Sequence, residues 1–151
     1  MDMPSDDLLK GRVSRVGQIY LITTTTEARR PLFRDFNCAR LVITEMRRLE
    51  EQNLLHSIAW VLMPDHLHWL IQLQGPISMS TIIKVLKGRS ARKLGFCLQG
   101  HQAIWQKGFH DHALRSEEDI RKVARYIVAN PLRAGLVERI GDYPFWDAQW
   151  L

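Results

Sequence analysis

Trp60-Val61-Leu62-Met63-Pro64-Asp65-His66-Leu67-His68-Trp69-Leu70-Ile71-Gln72-Leu73 sets two imidazoles inside an otherwise apolar run, and its reading decides the fold. Val, Ile, Leu and Trp on either side favour extended backbone, and Pro64-Asp65 between them is a turn signal. The stretch therefore reads as two strands, Leu54 to Met63 and His66 to Leu73, with a very short connection. In the second strand the period of two puts His66, His68, Leu70 and Gln72 on one face and Leu67, Trp69, Ile71 and Leu73 on the other. Two histidines so spaced can bind one metal ion, although the same pair also reads as surface polarity or a satisfied half-buried pair.

The chain around this stretch suits one domain over residues 1–151, with a leader over 1–16 and a tail over 132–151 that folds back on the body. Its 151 residues and 46% hydrophobic content are enough to bury a core. A net charge of +5 and a pI near 9.6 point to an acidic partner, nucleic acid being the commonest. The charge is unevenly placed: from His66 through His110 there is no Asp or Glu, while Lys84, Lys87, Arg89, Arg92, Lys93 and Lys107 all fall there. Two cysteines, Cys38 and Cys97, give neither a disulfide framework nor a Cys-x-x-Cys knuckle, so a reducing cytoplasm is the expectation. The acidic, polar start is unlike a signal peptide, and no apolar run nears the ~20 residues needed to span a bilayer.

Working outward, Gln18 to Thr26 is β-branched and aromatic enough to be a first strand, followed by a basic loop from Glu27 to Pro31. From about Asp35 to Gln52, Cys38, Val42, Met46 and Leu49 recur at helical spacing. Gln74-Gly75-Pro76 ends the central strands, and a second helix begins near Ser78 or Ser80. Its apolar positions Ile82, Ile83, Leu86 and Leu94 lie opposite Lys84, Lys87 and Arg92, a face that is either solvated or phosphate-tracking. A loop is expected over Gly95 to Gly100, then a fourth strand from Ala103-Ile104-Trp105 and Phe109 to Leu114, kinked at Gln106-Lys107-Gly108. Ser116-Glu117-Glu118-Asp119 reads as a helix start, and the helix is expected to run to about Asn130, stopped by Pro131. This order predicts an α+β fold: a ferredoxin-like antiparallel sheet with split β-α-β packing, plus a C-terminal helix.

On that last helix Tyr126 sits at the margin of the apolar stripe, with Lys122 one turn before it and Asn130 one turn after. By itself this reads more readily as a half-buried core tyrosine with a wet hydroxyl. Three ordered motifs carry more: Met63-Pro64-Asp65-His66-Leu67-His68, Trp105 through Arg115, and Ala124-Arg125-Tyr126-Ile127-Val128-Ala129-Asn130-Pro131-Leu132-Arg133-Ala134-Gly135-Leu136-Val137. Together they closely resemble the REP-associated tyrosine transposases, relatives of the single-tyrosine HUH transposases of small bacterial insertion sequences. The likeness covers about Gly17 to Trp146; the first strand departs from the family's Gly-Arg-Tyr-Tyr-His-like start, reading Gly17-Gln18-Ile19-Tyr20-Leu21.

The resemblance implies that His66 and His68 are the metal-binding pair, Asn130 the third ligand and Tyr126 the nucleophile. It implies a bacterial, cytoplasmic protein acting on a REP hairpin, a monomer rather than a dimer with shared active sites. The chemistry suits these residue types. A phosphotyrosine stores the phosphodiester bond while DNA is cut and rejoined. A divalent cation, Mg²⁺ or Mn²⁺, held by two imidazoles and an amide oxygen would polarise the scissile phosphate. No general base is evident; Lys122 or the metal is the candidate for activating the phenol. Lys84, Lys87, Arg89, Arg92 and Lys93 are the candidate DNA contacts. His110 and His112 form a second His-x-His, a competing metal or DNA site, while Trp69, Trp105 and Phe109 read as core residues more readily than as base-stacking platforms. Two functions remain in play: a metal-dependent single-stranded DNA endonuclease and strand transferase, and a hairpin-binding relative, of DNA or RNA, that does not cut. A metal hydrolase with no nucleic acid would leave the acid-free basic middle unexplained.

Overall fold

The computed structural model describes residues 16–98 and 103–149. Its centre is a five-stranded antiparallel sheet in the order β4-β1-β3-β2-β5. The strands are β1 (Ile19–Thr25), β2 (Leu55–Met63), β3 (His66–Leu73), β4 (His110–Leu114) and β5 (Trp146–Ala148). The first four in that order are the split ferredoxin-like arrangement, so the fold class read from the sequence holds. β2 and β3 form a hairpin across Pro64-Asp65, Met63 opposite His66 and Val61 opposite His68, with a bulge between Ser57 and Ala59.

Side-chain alternation sorts the sheet into two faces. Tyr20, Ile22 and Thr24 of β1 and Leu67, Trp69 and Ile71 of β3 are buried on one of them. Helices α1 (Phe36–Glu51) and α2 (Met79–Leu98) pack side by side there. Asp35 caps α1, its carboxylate accepting from the Cys38 amide at 3.0 Å. The apolar positions expected of the two helices, Cys38, Val42, Met46 and Leu49, then Ile82, Ile83, Leu86 and Leu94, are all buried. Trp69, fully buried, donates its indole N–H to Ser57 (2.9 Å), and the Trp105 indole donates to the Ser90 hydroxyl of α2 (3.0 Å). Both tryptophans belong to the core, and Phe109 packs partly buried against it.

Helix α3 (Glu117–Val128) covers β2 and β5 on the opposite face, burying Ile120, Ala124, Ile127 and Val128. Ser116 caps it by accepting from the Asp119 amide at 3.1 Å, as its sequence predicts.

Four boundaries depart from the sequence reading. Helix α2 runs through Gly95 to Leu98, so no loop opens at Gly95; positions 99–102 lie outside the described residues. A helix-interior glycine costs only about 1 kcal/mol relative to alanine, and the burial of Leu94 outweighs it. The fourth strand is confined to His110–Leu114: Trp105 makes a single bridge to Thr26, and Gly108 turns the chain at φ +73°. Pro131 does not end the helical path. The chain breaks at Ala129 and resumes as the short helix α4 (Asn130–Arg133), with Pro131 in its first turn, where the missing N–H removes no helical bond. Finally, the tail makes a strand, β5, paired with β2, and Tyr143 donates its hydroxyl to the Leu62 carbonyl at 2.6 Å. Burial pushes that phenol up to about 12. The leader expected over residues 1–16 lies, apart from Val16, outside the described residues.

Candidate active site

His66 and His68 open β3 on the sheet face shared with α3, their ring centroids 4.7 Å apart and nearly perpendicular at 79°. Each ring has one nitrogen held by a neighbour. His66 Nδ1 lies 2.7 Å from Oδ1 of Asp65, whose other oxygen accepts from Arg29 Nε at 3.0 Å. Partial burial works to raise the Asp65 carboxyl. The hydrogen bond and charge of His66, joined by those of Arg29, outweigh it, and the group sits below its ordinary value. An ionised carboxylate only accepts, so His66 carries a proton on Nδ1 and turns the Nε2 lone pair the other way. His68 Nδ1 lies 2.8 Å from the Thr23 hydroxyl, which likewise leaves Nε2 as its open nitrogen.

Asn130 reaches the pair from the start of α4, its amide nitrogen 3.5 Å from His66 Nε2. A half-turn of the amide exchanges nitrogen for oxygen, a pair of orientations that hydrogen bonding rather than geometry selects. Two Nε2 lone pairs and one amide oxygen thus fit a hard or borderline divalent ion that fills its remaining positions with water or phosphate. Among the described residues no three His, Cys, Asp or Glu side chains come together as a fuller cage. Burial, then the neighbouring His66 and Arg133, push the His68 imidazole down to about 4, so it is neutral over the whole physiological range, as a ligand must be.

Tyr126 is 60% exposed, which overturns its reading as a core residue. The cation against its ring is Arg133, with Cζ 3.8 Å from the ring centroid. Lys122, the cation expected to act there, instead pairs with Glu118 at 3.2 Å on the open surface of α3.

The five cations of α2 divide. Lys87 is half-buried and donates to the carbonyls of Gln106 (2.8 Å) and Gly108, fastening the loop ahead of β4 to the helix; burial lowers its pKa. Lys93 is ion-paired to Glu45 of α1. Lys84, Arg89 and Arg92 are exposed, yet their helix packs on the sheet face opposite the histidine pair. His110 and His112 are exposed on β4 and do share the histidine face, because Thr23 is the cross-strand neighbour of both His68 and His110. β1 lies between, setting the backbones of His68 and His110 two strand spacings, roughly 10 Å, apart.

Sequence reasoning missed Thr23, Arg29, Asp65 and Arg133. The first three are brought in by sheet order and loop path. Arg133 carried a legible signal, seven residues or two helical turns beyond Tyr126, that reading Pro131 as a stop concealed.

A family model described as transposase IS200 like matches residues 14–130. A REP-associated tyrosine transposase of Escherichia coli is 33% identical over 88 residues, covering 58% of this chain and 50% of that protein. A putative REP-associated tyrosine transposase of Haemophilus influenzae is 31% identical over 117 residues, covering 68% and 66%. The chain therefore spans about half to two thirds of the length of these relatives. Among solved structures, a REP-associated tyrosine transposase bound to a REP hairpin superposes with a TM-score of 0.78 at 24% identity, covering 97% of this chain and 82% of that one. A putative transposase from Deinococcus radiodurans superposes with a TM-score of 0.55 at 22% identity, covering 84% and 95%. These two likenesses establish the shared fold, and the family match, extending over most of the sequence, establishes descent. The chain belongs to the IS200-like transposase family.

Proposed function

We propose that this protein is a metal-dependent single-stranded DNA endonuclease and strand transferase that acts on REP-type hairpins through a 5′-phosphotyrosine intermediate. The observation that carries this reading is the grouping of His66, His68 and Asn130 on one face of the sheet, with an exposed Tyr126 four residues before Asn130. A core tyrosine would be buried, and a pure binding surface needs none of the four. The REP-hairpin substrate is taken from the solved relative's bound DNA.

Tyr126 would supply the nucleophile: its phenolic oxygen bonds to phosphorus as the bond from phosphorus to the 3′ oxygen breaks. The phenolic proton passes to solvent, and the departing 3′ oxygen takes one up to leave a free 3′ hydroxyl. The phosphodiester's energy is retained in the tyrosyl ester, which a second 3′ hydroxyl can reclaim to join a new strand. Bound Mg²⁺ or Mn²⁺ would polarise the scissile phosphate and stabilise charge on the leaving oxygen. His66 and His68 would hold that ion through Nε2 and Asn130 through its amide oxygen. Asp65 and Thr23 keep the two rings turned for that purpose.

Labelled single-stranded hairpin DNA, incubated with Mg²⁺, Mn²⁺ or chelator beside a Tyr126→Phe variant and run on a denaturing gel, tests the reading. A metal-dependent covalent protein–DNA band that disappears in the variant is expected. Tight hairpin binding with no adduct under any metal would instead make the protein a hairpin-binding relative that does not cut.

A further inference from the structure

Resting on the proposed cleavage reaction, we propose that Arg133 is a further catalytic residue: its guanidinium binds the scissile phosphate and offsets the charge that builds there as Tyr126 attacks. Three observations converge. The guanidinium carbon stands 3.8 Å from the Tyr126 ring centroid, so this cation is the one beside the nucleophile. The same residue ends the short helix α4, one turn after Asn130, whose amide lies 3.5 Å from His66 Nε2, so one helix joins the residue at the tyrosine to the residue at the histidine pair. Among the described residues its side chain has no carboxylate or hydrogen-bond acceptor, so its N–H donors stay available while the ring face supports the guanidinium plane.

Two other cations of this region already have a protein partner: Arg29 donates to Asp65, and Lys122 pairs with Glu118. An arginine with open donors beside the nucleophile, on the same short helix as Asn130, matches the planar, bidentate recognition that a phosphate offers. The fold supplies the placement. Pro131 sits in the first turn of α4, and the helical path through Asn130 carries Arg133 back over Tyr126.

The test compares rates of covalent adduct formation for the wild type, Arg133→Lys and Arg133→Gln, each checked for an unchanged thermal midpoint. Two substrates are used: the ordinary hairpin and one whose scissile phosphate is a neutral methylphosphonate. On the ordinary substrate Arg133→Gln should be slower by roughly 10²–10³, the range for removing one preorganised donor to developing charge, with Arg133→Lys in between. On the methylphosphonate, which carries no charge to offset, the gap between wild type and Arg133→Gln should shrink to within about tenfold. An equal loss on both substrates would make Arg133 a structural support of Tyr126, and a wild-type rate in Arg133→Gln would remove it from the reaction; either result overturns the proposal while cleavage itself stands. A wild type that forms no adduct with either substrate would overturn the cleavage reading, and this inference with it.

Discussion

Lys93→Met should destabilise the protein without altering how it meets DNA, although its sequence context marks Lys93 as a phosphate contact. Its ammonium is held by Glu45, whose side chain is 1% exposed between α1 and α2. One carboxylate oxygen, Oε1, is shared by Lys93 and by Arg48 at 3.3 Å, while Oε2 is buried with no partner. Removing one member of a fully buried ion pair costs about 3–5 kcal/mol, because the remaining charge is left unpaired in a poorly solvated place. Here Arg48 persists, and Lys93 is itself 33% exposed, so the estimate falls to about 2 kcal/mol. With a urea m-value of about 2 kcal/mol/M, the unfolding midpoint should drop by about 1 M. Adding Glu45→Gln should recover most of that loss, since the neutral amide has much less to regain from water. The salt dependence of hairpin affinity should be unchanged in the single variant, whereas Lys84→Met, which removes an exposed cation of the same helix, should lower the slope by about one if α2 meets phosphate. An unchanged urea midpoint together with a lowered salt slope for Lys93→Met would refute the reasoning and return Lys93 to the DNA surface.

Two further expectations follow from the site. Asp65→Ala should weaken Mn²⁺ binding, measured by calorimetry on the protein without DNA, by about 10–100-fold, because His66 loses the acceptor that fixes its proton on Nδ1; wild-type affinity would show that the ring is oriented by packing alone. In chelator, the His68 ring should titrate near 4 by NMR. Because this folded value lies below the ordinary 6.5, the unfolded chain binds more protons between the two, so stability is full above about 6.5 and declines as pH falls toward 4. A His68→Gln variant should show less of this decline, and a His68 midpoint near 6.5 would remove the burial argument.

What the sequence discloses depends on how far apart the cooperating residues are. The pairing of His66 with His68 follows from a strand's period of two, and Tyr126 and Asn130 stand four residues apart, near helical spacing although the helix breaks at Ala129 between them, so each pair is legible locally. Sheet order was legible as well, because alternating strand and helix patterns leave few ways to bury both crossover helices. Only the extra edge strand escaped. Trp146-Asp147-Ala148 is too short to show a period, and its extended conformation is fixed by pairing with β2. The cations of α2 differ for another reason. Lys84, Lys87, Arg89, Arg92 and Lys93 are alike in charge and close in sequence. What distinguishes them is the element standing opposite: the carbonyls of Gln106 and Gly108 for one, a buried carboxylate on α1 for another, solvent for the rest.

The same reasoning explains why the site's supporting groups were hidden while its principal residues were not. Asp65 adjoins His66 in the chain, but its meaning depends on Arg29, which arrives from the loop after β1. That loop brings Ala28 and Arg29 through left-handed backbone at φ 57° and 52°, conformations that non-glycine residues adopt only when their surroundings hold them there. Thr23 reaches His68 because β1 and β3 are neighbours, a relation fixed by tertiary pairing 45 residues apart. An active site of this kind therefore has two tiers of legibility. Groups proposed to touch the reacting atoms come in local pairs that a periodicity can reveal, and the groups that set their tautomers and rotamers come from whichever strands and loops the fold makes adjacent. Arg133 falls between the tiers: its spacing from Tyr126 is helical and local, and only the interruption at Ala129, with a proline just beyond it, kept that spacing from being read.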